Sequence, residues 1–376
     1  MIYLDHNATT PIAQEVLEAM MPFLTNEWGN PSSAYRFGSK LKLAMDNARD
    51  QISGLAGCAP GDVFFTSCAT ESNNAALRAA LALNPGKRHI VTSQIEHSSV
   101  LNFCKELENT GFSVTYLPVD QQGMISTSDL KGAISDQTAV VSIMWANNET
   151  GVLFPIEEIA AICSEFRVLF HCDAVQAPGK IPIDLSACAI DYVTLSAHKI
   201  FGPKACGALI SGKQHLPKPL LFGGHQEGGW RGGTENVAGI VGFGKAAELA
   251  AKNLSSWSIR SQQLRNQLET RILAEISGTW LNGSMERRLP NTSNIGFPTL
   301  NSDALVGLLD TLGVCVSSGS ACLSNSISPS HVVFSMTGSH EKATKSIRFS
   351  TSHLNTNLEI DQAVEAVKQA IATLPS

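Results

Sequence analysis

Between residues 63 and 211 the chain repeats one pattern, a short apolar run rich in β-favouring residues followed by a stretch with helical spacing. The runs are "DVFFTS", "HIVTSQ", "FSVTYLPV", "AVVSIMWAN", "RVLFHCDAV", "DYVTLSA" and "CGALISG". Segments such as "ESNNAALRAALAL" (71–83), "SSVLNFCKELENTG" (98–111) and "PIEEIAAICSEF" (155–166) separate several of them. Strands that are apolar along nearly their whole length need cover on both faces, and intervening helices supply it. The pattern therefore predicts an α/β domain built on a mostly parallel sheet.

The rest of the chain reads differently. A glycine-rich loop, "FGGHQEGGWRGGTEN" (222–236), leads into a long helical region from about Ala238 to Ile276. The C-terminal third then mixes "NTSNIGF", "SDALVGLLDTLG", "VCVSSGSAC", "KSIRFSTS" and a last helix, "NLEIDQAVEAVKQAIATL". That is an α+β pattern. A length of 376 residues exceeds one ordinary domain. The expected division is a large domain over 15–260 and a smaller α+β domain made of 1–14 and 261–376. The stretch "VSSGSACLSNSISPS" has seven serines in fifteen residues and reads as a mobile loop.

Composition removes several classes of function. The net charge is −6 and the 27 basic residues form no long run, "MERRLP" being the nearest, so no nucleic-acid partner is expected. No segment reaches the roughly 18 consecutive apolar residues of a membrane span. The start, "MIYLDHNATT", lacks the basic and apolar regions of a signal peptide, which points to a cytoplasmic protein. The nine cysteines are odd in number and contain no CxxC pair. A disulfide framework or a metal site of ribbon type is not expected from that spacing.

In open parallel sheets the carboxyl ends of the strands form the ligand crevice, so polar residues there are site candidates. "FFTSCATESNN" puts Thr70 where it would cap a helix, and a helix start is a natural anion site. "TSQIEHSSV" places His97 just before a helix, as a structural or a functional imidazole. In "MWANNETG" the paired asparagines either make a turn or present an amide to a ligand. "LFHCDAVQAPGK" ends an apolar run on Asp173, a carboxylate that needs a cationic or hydrogen-bonding partner if buried. "IDYVTLSAHKIFGPK" does the same with Lys199, 26 residues further on. The two could form a salt bridge. They are also the pair expected of a pyridoxal phosphate enzyme, a carboxylate for the pyridine nitrogen and a lysine for the aldehyde.

Taken together, the motifs resemble cysteine desulfurases of the NifS/IscS type, within the class V aminotransferase superfamily. The likeness runs through "YLDHNATTP", "WGNPSSAYRFG", "FTSCATESNN", "EHSSV", "NNETG", "HCDAVQAPGK", "SAHKIFGPK", "GGHQEGGWRGGTEN", "LPNTSN", "SSGSAC" and "IRFS". It implies the aspartate aminotransferase-like fold of pyridoxal phosphate-dependent transferases, and conversion of L-cysteine to L-alanine with the sulfur leaving as a persulfide. The resemblance assigns Lys199 to the covalent attachment of pyridoxal 5'-phosphate. Asp173 would face the pyridine nitrogen, Gln176 the ring hydroxyl oxygen, and His97 the ring face, where it can also move protons. Ala69, Thr70, Ser196 and His198 would hold the phosphate, joined by Thr234 from a second subunit, which implies a homodimer. Asn148 and Arg348 would take the substrate carboxylate, the guanidinium as a two-pronged fork. Cys322 would be the nucleophile that carries the sulfur to an acceptor or iron–sulfur scaffold protein, and could transiently hold a nascent cluster there.

Two departures from the family pattern stand out. Cys68 replaces the glycine usual before "ATES", which would crowd the phosphate turn or add a thiol to it. After "IRFS" the chain reads "TSHLNTN" instead of the usual glycine–arginine–aromatic sequence. The nearest alternative is a selenocysteine lyase, which shares fold, cofactor and most motifs; "SSGSAC" favours the desulfurase. A non-catalytic metal or iron–sulfur binding protein fits the ligand spacing poorly. A nicotinamide-dependent dehydrogenase would need a GxGxxG after an early strand, and none is present.

Overall fold

The structure, a computed structural model, describes residues 1–216, 218–298, 301–319 and 329–373. The chain opens with a two-residue strand, β1 (Ile2–Tyr3), and two helices, α1 (Gln14–Thr25) and α2 (Arg36–Ala56). The alternating region follows as β2 (Val63–Thr66), α3 (Ala69–Leu83), β3 (His89–Ser93), α4 (Ser98–Asn109), β4 (Ser113–Leu117) and α5 (Thr127–Ala133). It continues with β5 (Thr138–Ser142), α6 (Ile156–Phe166), β6 (Leu169–Asp173), β7 (Tyr192–Ser196) and β8 (Gly207–Ile210). These strands form one seven-stranded sheet in the order β2-β8-β7-β6-β5-β3-β4. The pairs β3–β4, β3–β5, β5–β6 and β6–β7 are parallel. Only β8 runs against its neighbours β2 and β7. All seven apolar runs are strands of this sheet.

Strands β2, β3, β5, β7 and β8 are buried at every residue, which is why they read as continuous apolar runs rather than alternating ones. Several polar side chains of the sheet are paired between strands. His171 on β6 lies between the Ser142 hydroxyl on β5 at 2.8 Å and the Thr194 hydroxyl on β7 at 3.2 Å. Burial pushes the pKa of that imidazole down to about 4, so it stays neutral and serves as a hydrogen-bonded spacer.

After the sheet comes α7 (Val237–Glu275), 39 residues long. Its first half buries Ile240, Phe243, Ala246, Ala247 and Ala250 in the core beneath the sheet. Its second half buries Leu264, Leu268 and Ile272 in a separate core. The first half sits close against α2: a Cβ on Gly244 would lie 2.5 Å from the Ala48 Cα. The second core is closed by β9 (Trp280–Asn282), β10 (Thr292–Gly296), α8 (Ser302–Thr311) and β11 (Val314–Cys315). Two short helices follow in the chain, α9 (His331–Thr337), whose Val332 and Met336 join the first core, and α10 (His340–Thr344). Strand β12 (Ser346–Ser350) and helix α11 (Asn357–Thr373) complete the second core. Strands β12, β10 and β9 form an antiparallel sheet, and β1 pairs with β11. The N-terminal strand thus joins the C-terminal part, and the residues after it cross to the main sheet: the Thr10 amide donates to the His198 carbonyl at 3.0 Å.

Leu268 has no exposed surface in the second core. Leu268→Ala should lower unfolding stability by about 2–5 kcal/mol. Denaturant unfolding of the two proteins measures this, and a change below about 1 kcal/mol would contradict the described packing.

Candidate functional site

Strand β7 ends at Ser196, and residues Ala197–Lys199 form one tight helical turn. The turn is closed by Ile200 and Gly202 amides on the Ala197 carbonyl, both at 3.0 Å. The next residue, Phe201, has φ +65, a conformation non-glycine side chains rarely take. Thr10 brackets this turn, since its hydroxyl accepts from the Phe201 amide at 2.8 Å. The Lys199 amine is thereby aimed across the sheet end at the N-terminal segment. It donates to the carbonyls of Asn7 and Ala8, at 2.5 and 2.7 Å.

One strand away, Asp173 ends β6 and is 6% exposed. Its two oxygens accept from the Asn73 amide at 2.8 Å and from the Val175 backbone at 3.1 Å. Asn73, on α3, gives its other hydrogen to the Ser99 hydroxyl at 2.8 Å. That hydroxyl therefore turns its own proton to Nδ1 of His97, 2.8 Å away, and the Ser99 amide donates to the same nitrogen at 3.2 Å. Nδ1 is thus an acceptor, and the proton of the neutral ring sits on Nε2. Burial lowers the pKa of His97, the Asp173 charge opposes that, and Lys199 and His331 add to the lowering.

Gln176 follows Asp173 by one turn. Its Nε2 donates to the Asn7 carbonyl at 3.0 Å, and its Oε1 accepts from Lys180. Asn7 is the meeting point. Its side chain donates to the Asn148 carbonyl at 3.2 Å and the Thr292 hydroxyl at 2.8 Å, and accepts from Asn291 at 3.0 Å. The sequence reading did not single out Asn7, although the "YLDHNATTP" motif contained it.

The anion-facing end lies at the start of α3. Ala69 and Thr70 occupy its first turn, and the cap position belongs to Cys68, whose side chain makes no capping hydrogen bond. Thr70 therefore is not the cap that the sequence suggested, because the helix begins two residues earlier than a cap at Thr70 would place it. Its first amides are left for an incoming acceptor. Cys68 does not strain the turn: φ −174 and ψ 170 are extended backbone open to any residue. The close approach falls instead on Gly207, where a Cβ would lie 2.7 Å from the Cys68 carbonyl carbon. Ser196 Oγ is buried without a hydrogen-bond partner. His198 Nδ1 lies 3.1 Å from the Thr9 hydroxyl, and burial followed by nearby lysines lowers its pKa to about 4. Thr234 shares a cavity of about 150 Å³ with Thr66, Ser67 and Arg231, and Arg231 is paired with Glu71 of α3 at 2.8 Å.

On the other side of His97 a cavity of about 510 Å³ is lined by His97, Asn148, Glu149, Gly319 and His331. The paired asparagines divide the two readings of "NNETG". Asn147 makes the turn, its Oδ1 accepting from the Glu149 and Thr150 amides at 2.9 Å, while Asn148 faces the cavity. Arg348, on β12, is 4% exposed. It pairs with Asp5 at 2.6 Å and donates to the Asn148 carbonyl at 3.0 Å, and its Nε has no hydrogen-bond partner. Cys322 lies outside the described residues. Past that gap in the sequence, the Ser330 hydroxyl donates to the buried Glu149 at 2.5 Å. Among the described residues no group of three His, Cys, Asp or Glu side chains is placed to hold a metal ion. No described helix is long and apolar enough to cross a membrane.

These groups fit pyridoxal phosphate. An uncapped helix start and an unpartnered hydroxyl suit its phosphate, a buried carboxylate suits its ring nitrogen, and an amine on the neighbouring strand suits its aldehyde. Comparison with known proteins agrees. Residues 2–363 match the family model for aminotransferase class-V. A cysteine desulfurase of Trichormus azollae is 48% identical over 373 residues, covering 99% of this chain and 93% of that protein. The cysteine desulfurase NifS of Azotobacter vinelandii is 42% identical over 374 residues, with 99% and 93% covered. A solved NifS-like protein superposes with a TM-score of 0.93 at 37% identity, covering 99% of this chain and all of the other. The chain belongs to the class V aminotransferase family, among its cysteine desulfurases of the NifS/IscS type.

Proposed function

We propose that this protein converts L-cysteine and a protein thiol to L-alanine and the protein persulfide, using pyridoxal phosphate held between Lys199 and Asp173. The observation that carries this reading is their placement at the ends of adjacent parallel strands, with Asp173 and Thr194 in register. The reaction balances without an outside oxidant, since the sulfur lost by cysteine is the sulfur gained by the thiol. Pyridoxal phosphate, when bound, supplies an electron sink that loosens the bonds around the substrate α- and β-carbons.

The chain's own groups divide the remaining work. Asp173, pinned by Asn73, would face the ring nitrogen. His97 offers its Nε2 towards the ring and the cavity, with Nδ1 committed to Ser99. Ala69, Thr70, Ser196 and His198 hold the phosphate. Arg348 and Asn148 take the substrate carboxylate, with the spare guanidinium N–H groups available beside Asp5. Cys322 of "SSGSAC" accepts the sulfur and presents it to a sulfur-acceptor or iron–sulfur scaffold protein. Large apolar side chains at Trp28 and Phe222, 75% and 86% exposed, support a homodimer in which Thr234 completes the second copy's phosphate site. The large-domain and small-domain division near residue 260 suits this reading, because α7 carries both cores.

Two variants test the roles. Lys199→Ala should reduce alanine formation from L-cysteine by at least about a thousandfold. Alanine formation at a tenth of the parent rate or more would refute the assignment. Cys322→Ser should retain the yellow bound cofactor and lose persulfide formation, as followed by mass spectrometry of the intact protein. Persulfide transfer undiminished in that variant would remove Cys322 from the chemistry. Running L-selenocysteine beside L-cysteine decides substrate preference in the same assay.

A further inference from the structure

A second amine lies beside Lys199, and no role above employs it. Lys180 follows Gln176 by four residues, and its Nζ donates to Gln176 Oε1 and, at 3.2 Å, to Asn7 Oδ1. Both acceptors are amide oxygens. Burial, then the charges of Lys199 and Arg348, hold its pKa well below the usual lysine value.

An amide side chain can turn over, exchanging oxygen and nitrogen with little change in shape. Gln176 is held against that exchange from two sides. Lys180 supplies a donor to Oε1, and the Asn7 carbonyl accepts from Nε2 at 3.0 Å. One Nε2 hydrogen is then left to offer to a ligand. The same Asn7 carbonyl accepts from Lys199, so the groups run in a row: Lys180 to Gln176 to Asn7, met from the far side by Lys199. Asn7 cannot rotate to spoil the row, since its own amide is bound by Thr292, Asn148 and Asn291.

We propose that Lys180 is a positioning residue for the cofactor: it fixes the Gln176 amide with its free N–H turned to the ring hydroxyl oxygen of pyridoxal phosphate. This rests on the reading of Asp173, Gln176 and Lys199 as the cofactor cradle. Without the Lys180 donor, Gln176 can present Oε1 to that oxygen, and a hydrogen bond to a charged acceptor becomes a repulsive contact.

The test is a titration of the cofactor-free protein with pyridoxal phosphate, followed by the ligand's visible absorption, on the parent, Lys180→Met, Gln176→Ala and the double variant. A pH titration of the same absorption band accompanies it. Lys180→Met should weaken binding about tenfold and shift the pH midpoint, and should cost little further in the Gln176→Ala background. Unchanged affinity and midpoint in Lys180→Met, or an equal loss in both backgrounds, would overturn the proposal. If Lys180→Met does not accumulate folded, Lys180→Leu, which carries no hydrogen-bond donor, is read by the same criteria. A parent protein that binds no pyridoxal phosphate would instead overturn the functional reading on which this rests.

Discussion

The site depends on the crossing of the N-terminal segment over the carboxyl end of the main sheet, where the Asn7 and Ala8 carbonyls accept the amine of Lys199. Residues 2 and 3 pair with β11 in the C-terminal part of the molecule, and Thr10 is bonded to the turn after β7. The few residues between therefore tie one hydrophobic core to the other. Asn7 sits at that junction with every polar atom engaged: its carbonyl takes Lys199 and Gln176, and its side chain takes Lys180, Asn291, Thr292 and Asn148. A buried amide is costly unless satisfied, and here its satisfaction sets the position of two lysines and a glutamine at once.

Electrostatics follow from the same geometry. The charges of Lys199 and Arg348 both bear on the buried Lys180, and Asp5 is paired to Arg348. Asp173 and His97 lie on the opposite side, linked through one asparagine and one serine. A ligand bearing a phosphate, an ionisable ring hydroxyl and a basic ring nitrogen meets complementary groups at each point. The imidazoles at His97 and His198 are both pushed toward neutrality by burial, so they can act as hydrogen-bonding groups without adding charge.

Much of this was legible in the residues. Every β-rich run became a strand; where both faces are buried the strand is apolar nearly throughout, a strong signal over four or five residues, and the partly exposed edge strand β4 was legible from its β-favouring residues. Asp173 and Lys199 drew attention because a polar residue ending such a run has few places to go but the crevice, and His97 because it stands just before a helix; the structure brings the three to the same end of the sheet. Helices α1 and α2 were not among the segments read, although Leu41, Met45, Ala48, Ile52 and Leu55 of α2 have amphipathic spacing; the strand–helix alternation that guided the reading starts after them. Asn73, Ser99, Asn7 and Lys180 were missed for a different reason. Each also makes contacts across tens to hundreds of residues of chain, Asn73 to Asp173 and Lys180 to Asn7 among them, and nothing in local composition marks an asparagine or serine that will be buried beside a carboxylate. Thr70 shows the limit of local rules: a good capping residue lies two positions past the cap, and the turn from β2 places Cys68 at the cap instead.

The central claim is that one particular lysine is joined to the cofactor at the end of β7. Borohydride reduction of the cofactor-loaded protein, followed by peptide mapping with mass spectrometry, reads this out directly. A pyridoxyl phosphate mass is expected on the peptide that contains Lys199 and on no other. The same mass on the peptide containing Lys180, or loaded protein that carries no label after reduction, would contradict this expectation.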